Sequence, residues 1–163
     1  MNKENFINNT WEKERYSIFL NYDKRFHLKL LDQKNLNDEL TLTLRYYSNI
    51  MLCQLYWESR FQYLDLVNEL IGKKIDSLDF FQTFDEIRDR IYTINDFLRS
   101  NKLLLCPHKN CLEFADLIRE ITEYTQAYDD EPEPFRTKSS INEIEFISLM
   151  EEMYLKLNEV IEK

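Results

Sequence analysis

The sequence predicts an all-α protein, an antiparallel four-helix bundle with an N-terminal helical extension, on three observations. The 163 residues include a single Gly and only three Pro, whereas sandwiches and barrels consume both at their turns. Apolar residues recur at three- and four-residue steps through most of the chain after Asn37, the period of one helix face. Polar connections separate these runs, and amphipathic helices so joined bury their stripes against one another. With 44% apolar and 31% charged residues the composition is globular, and the length suits one domain with a genuine core.

Residues 1–36 are set apart as an extension, and residues 37–163 as the bundle domain. In the extension, Trp11, Tyr16, Phe19, Leu20 and Tyr22 are partly helix-spaced, while Phe26, Leu28 and Leu30 alternate with His27 and Lys29. A short helix and an extended arm both fit.

The first long helix is expected over about 38–71. Asn37 ahead of Asp38 and Glu39 reads as an N-cap with an acidic first turn. Leu52, Tyr56, Ser59, Tyr63, Leu66/Val67 and Leu70 form its stripe. Gly72 is placed to terminate it at C′, with Lys73 and Lys74 near the negative end of the dipole. A second helix opens after Asp76 or Ser77, with Phe81, Phe84, Ile87, Ile91, Ile94 and Leu98 on one face. Residues 100–111 connect it to a third, Pro107 barring continuation. Phe114, Leu117/Ile118, Ile121, Tyr124/Thr125 and Tyr128 form the stripe of the third. After the loop Asp129-Asp130-Glu131-Pro132-Glu133-Pro134-Phe135-Arg136, Ser140 and Glu143 offer a capping box for a fourth helix. Its stripe reads Ile144, Ile147, Met150, Tyr154, Leu157 and Ile161.

Charge is uneven along the chain. Residues 1–60 carry nine Lys/Arg and eight Asp/Glu, residues 61–163 twelve and 22, within an overall net charge of −9. An acidic C-terminal body repels phosphate backbones, so direct nucleic-acid binding there is not expected. It suits a basic protein partner, and equally a solubilising surface. No run of about 18 apolar residues predicts a membrane span. The N-terminus lacks the features of a signal or transit peptide, and Cys53, Cys106 and Cys111 read as reduced thiols. Fourteen Ile and fourteen Asn against two Val and two Ala indicate A/T-rich codons. These point to a soluble intracellular protein, in the plastid stroma if organelle-encoded and otherwise in a bacterial cytoplasm.

No pattern of catalytic specificity stands out, so no enzyme activity, cofactor or resident metal is expected. Cys106-x-His108-x₂-Cys111 gathers three candidate zinc ligands, but is not a ligand doublet and has only Cys53 or His27 as a distant fourth. Nothing marks a nucleophile elbow for a Cys–His pair. Carboxylates at helical spacing (Glu58/Asp65/Glu69, Glu120/Glu123) lack the Glu-x-x-His of di-iron bundles. The aromatic run Tyr46-Tyr47, Tyr56-Trp57 and Phe61-x-Tyr63 reads as core or as a docking seam. The loop 129–136 reads as a solvated linker or as an acidic lid for a basic site.

Several segments together resemble the bacterial self-protective colicin-like immunity family, the group that includes the colicin D immunity protein. They are Tyr63 to Ile71 with Ile75 to Phe84, Phe114 to Tyr128, the loop Asp129–Phe135 with Arg136, and the helix from Ile141, about 100 residues from Tyr63 onward. The resemblance implies an antiparallel four-helix bundle that binds a basic RNA-cleaving toxin domain and occludes its active site. Asp129, Asp130, Glu131, Glu133 and Arg136 are the positions it implicates in partner binding. Similar reading frames are familiar from algal plastid genomes. The alternative is a structural or assembly subunit of an organellar complex, docking through the aromatic long helix.

Overall fold

A computed structural model describes residues 50–100, 108–131, 137 and 139–163. The N-terminal extension, the start of the first long helix and most of the connection before His108 lie outside the described residues. So do Glu133 and Arg136.

Every named element among the described residues is a helix: α1 (Arg60–Ile71), α2 (Ser77–Ser100), α3 (Cys111–Ala127) and α4 (Glu143–Glu162). Helical residues 50–58 lead into α1. The expected continuous helix is interrupted at Ser59, whose N–H is shared between the carbonyls of Leu55 and Tyr56 at 3.2 and 3.1 Å. The Arg60 guanidinium donates to the Trp57 carbonyl at 3.0 Å while lying over the Trp57 ring. A side chain competing for a ladder carbonyl is a recognised cause of a helix break.

The end of α1 differs from expectation in a way that assigns two residues their parts. Gly72 has φ −76° and Lys73 has φ +55°. The Lys74 N–H reaches the Glu69 carbonyl and the Lys73 N–H the Leu70 carbonyl, both at 2.9 Å. These are the two bonds of a Schellman motif, with Lys73 rather than Gly72 at the left-handed C′ position. Gly72 is needed for close approach instead, since a Cβ there would meet the Asn68 carbonyl oxygen at 2.9 Å. Lys73→Gly should therefore raise stability by about 1 kcal/mol, the left-handed cost of a side chain. Gly72→Ala should lower it, because the obstructing atom is backbone. Denaturation midpoints of the two variants check both signs.

Helix α1 packs against α2 and α4, and α4 also packs against α3. The buried face of α2 carries Phe80, Phe84, Ile87, Ile91, Asn95 and Leu98. Phe80 thus replaces the expected Phe81, and Ile94 is 39% exposed. At 100° per residue Phe80 lies within about 10° of the mean direction of Phe84, Ile87, Ile91 and Leu98, whereas Phe81 lies about 90° away. The buried side of α4 is Phe146, Met150, Met153, Leu157 and Val160. Ile147, Tyr154 and Ile161 are half-buried, and Ile144 is 81% exposed. The buried residues recur at four- and three-residue steps within about 80°, so they form one stripe, rotated from the expected one, with Ile147, Tyr154 and Ile161 along its edge.

Helix ends meet in pairs. Tyr128, just beyond α3, forms a parallel bridge with Ile141, just before α4. The Asp129 N–H donates to the Ile141 carbonyl at 3.0 Å and the Ile141 N–H to the Ala127 carbonyl at 2.8 Å. At the opposite end, Asn110 Nδ2 donates to the Val160 carbonyl at 2.8 Å. The start of α2 joins the start of α4, where the Ser77 hydroxyl lies 2.9 and 2.8 Å from the two Glu143 carboxylate oxygens. No described helix is long and apolar enough to cross a membrane.

Candidate functional site

The acidic loop is a closed structure at its base. Because Ile141 is held by Ala127 and Asp129, α4 cannot begin until Asn142. Asn142 accordingly makes the capping box with Glu145, each side chain taking the other's backbone N–H at 2.9 and 2.8 Å. The expected pair, Ser140 with Glu143, is replaced. The Ser140 hydroxyl donates to the Thr137 carbonyl at 2.8 Å, which leaves Glu143 to a different role.

Glu143 clasps three elements. Its carboxylate accepts from Ser77 at the start of α2 and from the Tyr128 hydroxyl at 2.8 Å, while its own backbone begins α4. Beneath it, Tyr128 lies 5.0 Å from the Phe81 ring and 5.5 Å from Phe146, both edge-on. Phe146 in turn meets Phe80 at 5.7 Å and Phe81 at 5.1 Å. Edge-to-face rings at these separations add to simple burial. The loop therefore stands on an aromatic platform continuous with the core.

The Tyr128 hydroxyl senses several carboxylates. Burial pushes the Tyr128 hydroxyl up to about 12, and the hydrogen bond to Glu143 and the charges of Glu143, Asp130 and Asp76 act in the same direction. Glu143 thus bonds the phenol directly, while Asp76 and Asp130 act on it through their charge alone. Asp76 also caps α2 by accepting from the Asp79 N–H at 2.9 Å. Asp129 is half-buried and its Oδ1 accepts from the Glu131 N–H at 3.0 Å, an Asx turn that shapes the start of the loop. Asp130 and Glu131 are exposed. Among the described residues no ion pair engages Asp76, Asp129, Asp130, Glu131 or Glu143. Sequence reasoning missed Asp76, Ser77 and Glu143 as parts of this surface. The available signal was an acid at the start of each of two helices, Asp76 just before α2 and Glu143 at the first position of α4.

Most of the other candidates that fall among the described residues have structural partners. Tyr56, Trp57 and Tyr63 are buried, so the aromatic run serves as core, with Phe61 exposed and Tyr46 and Tyr47 outside the described residues. Burial pushes the Cys53 thiol up to about 11, the proximity of Cys111 adding to it, and burial also raises Cys111. Glu58 accepts from Gln54 at 2.7 Å, and Glu120 from Tyr124 at 2.6 Å and Lys156 at 3.2 Å. Cys106 lies outside the described residues.

His108 stacks on Trp57 at 4.1 Å and 7°, and its Nδ1 accepts from the Asn110 N–H at 3.2 Å. Desolvation lowers its pKa, helped by the cations of Arg60 and Lys109 and opposed by Glu58. A lowered folded value means that this contribution to stability is present above the ordinary value of about 6.5 and is lost as pH falls through the window below it. An imidazolium quenches a stacked indole more than imidazole does. In a Trp11→Phe background, Trp57 emission should therefore drop with a midpoint below that of free histidine, and His108→Asn should abolish the step. A midpoint at or above 6.5 would contradict the stacked, cation-flanked geometry.

No known protein family, characterised protein or solved structure matches the chain.

Proposed function

We propose that this chain is a non-enzymatic acidic binding protein of the immunity type, which holds a basic protein partner on the end where α2 and α4 begin. The observation that carries this reading is the clasp in which Glu143 accepts from Ser77 and Tyr128, joining the starts of α2 and α4 to the base of the acidic loop. The loop behind it is closed by the Tyr128–Ile141 bridge. Solvated linkers do not need an aromatic footing or a three-way clasp. A preorganised acidic surface does, because rigid presentation lowers the ordering cost of binding.

The bundle in this reading is antiparallel and four-helical. Its support is the pairing of helix ends: both ends of α3 lie against the opposite ends of α4, and α1 turns into α2 through five residues, 72–76. The resemblance to colicin-type immunity proteins names the partner class, a basic RNA-cleaving toxin domain. The test is RNA cleavage by such a domain, of the colicin D type, with and without a stoichiometric amount of this protein. Cleavage should be suppressed and a one-to-one complex should elute from a sizing column. Undiminished cleavage with no complex, across a panel of basic toxin domains, refutes the assignment.

A further inference from the structure

The three most exposed large apolar side chains among the described residues are Ile144 at 81%, Leu155 at 70% and Leu78 at 68%. Two of them adjoin the clasp, since Leu78 follows Ser77 and Ile144 follows Glu143, the pair joined by the hydroxyl–carboxylate bond. The third shares a helix face with Ile144. Eleven residues make three turns, so Ile144 and Leu155 stand about 16 Å apart along α4 and within about 20° of the same direction. That direction points away from the buried side formed by Phe146, Met150, Met153, Leu157 and Val160.

This outer face is acidic. Ser148 and Glu151 lie between the two apolar residues, and Glu152, Glu159 and Glu162 flank them, all exposed. Among the described residues no ion pair engages Glu151, Glu152 or Glu162, and Glu159 meets only Lys163 at the helix end. The one cation within the helix, Lys156, is turned toward α3, where it pairs with Glu120. Aliphatic anchors set among carboxylates, with no cation of α4 on the same face, select a particular occupant. A second copy of this chain would set acid against acid, and an anionic lipid surface would do the same.

We propose that the outer face of α4, from the clasp at Ser77 and Glu143 to Leu155, is a docking strip for a basic amphipathic helix of the partner protein. This rests on the reading of the chain as a binder of basic proteins and extends the contact from the acidic end along α4. A straight strip of about 16 Å fits a helix laid alongside, with apolar residues at i, i+4, i+7 and i+11 facing Ile144 and Leu155 and Lys or Arg on either side. The aliphatic pair supplies the desolvated centre, and the carboxylates steer the approach.

The probe is an 18-residue capped peptide with Leu at those four spacings and Lys elsewhere on the same half, titrated against the full chain. Binding is followed by calorimetry and by methyl chemical shifts. Ile144 and Leu155 methyl signals should move, and Ile144→Ser/Leu155→Ser should weaken binding at least tenfold with net charge unchanged. Asp129→Asn/Asp130→Asn/Glu131→Gln should change peptide affinity by less than threefold. Equal affinity for wild type and the serine variant, or loss only in the loop variant, overturns the strip. Failure of every toxin domain to bind while the peptide result holds would instead remove the immunity reading alone.

Discussion

Phe146→Ala should lower the unfolding free energy by about 3–5 kcal/mol, the cost of truncating a fully buried Phe. For a chain of this length that is a fall in Tm of about 10 °C or more. Phe146 is 0% exposed and touches Phe80, Phe81 and Tyr128, so its removal opens a cavity at the point where α2, α4 and the acidic loop meet. The flanking rings belong to regular helices and to the bridged Tyr128, which limits how far they can close in. Leu155→Ala, at a 70% exposed position of the same helix, should stay within about 0.5 kcal/mol of wild type. Thermal and denaturant unfolding of both variants check the contrast. A loss below about 1 kcal/mol for Phe146→Ala would mean that the loop does not stand on the core.

Neutralising the loop should have the opposite profile. Asp129→Asn, Asp130→Asn, Glu131→Gln and Glu133→Gln together should leave the helical content and cooperative unfolding intact. Asp129 keeps its Asx turn as Asn, because the accepting side-chain oxygen is retained. Partner binding should weaken at least tenfold at low salt, mostly through slower association, as expected for exposed steering charges. The gap between variant and wild type should narrow as salt rises, since the Debye length shrinks from about 10 Å at 0.1 M to about 3 Å at 1 M. Unchanged binding would return the loop to the role of a linker. Glu143→Gln belongs to a separate class, for it keeps a side-chain oxygen that accepts from the Ser77 and Tyr128 hydroxyls while removing one charge, and should fall between the two.

The helices were legible in the sequence wherever the apolar residues offer a single stripe. Tyr63, Leu66, Val67 and Leu70 in α1, and Phe114, Ile118 and Ile121 in α3, are buried as their spacing requires. Periodicity was less informative for α4, because its sequence carries two adjoining apolar stripes, and the buried one, Phe146, Met150, Met153, Leu157 and Val160, is rotated from the one expected. Phe146, Met153 and Val160 face inward, and Ile144 is left out. In α2 the directions of Ile94 and Asn95 are equally distant from the stripe axis, and hydropathy favours Ile94, yet Asn95 is the buried one. Its Oδ1 has no hydrogen-bond partner among the described residues, and we have no physical account of that choice.

The candidate site was legible as a charged segment and no further. Asp129, Asp130 and Glu131 are visible as a run of acids, and Asp129 as the residue that turns the chain. What converts them into a surface is long-range: Ser77 meeting Glu143 across 66 residues, and the backbone of Ile141 closing on Ala127 and Asp129. Local capping rules placed the start of α4 at Ser140, whereas the structure places the cap at Asn142. That shift accompanies the Tyr128–Ile141 bridge, which no local pattern encodes. Glu143 was consequently read as a capping residue when its carboxylate ties three elements together.

The most direct measurement of the central claim is the association rate constant between this protein and a basic RNA-cleaving toxin domain as a function of ionic strength. An acidic docking surface predicts a rate that falls steeply from 0.05 to 0.5 M salt, by about tenfold or more, with a shallower slope once the loop acids are neutralised. A rate that is flat across that range, or a slope identical in wild type and the neutralised variant, would contradict it.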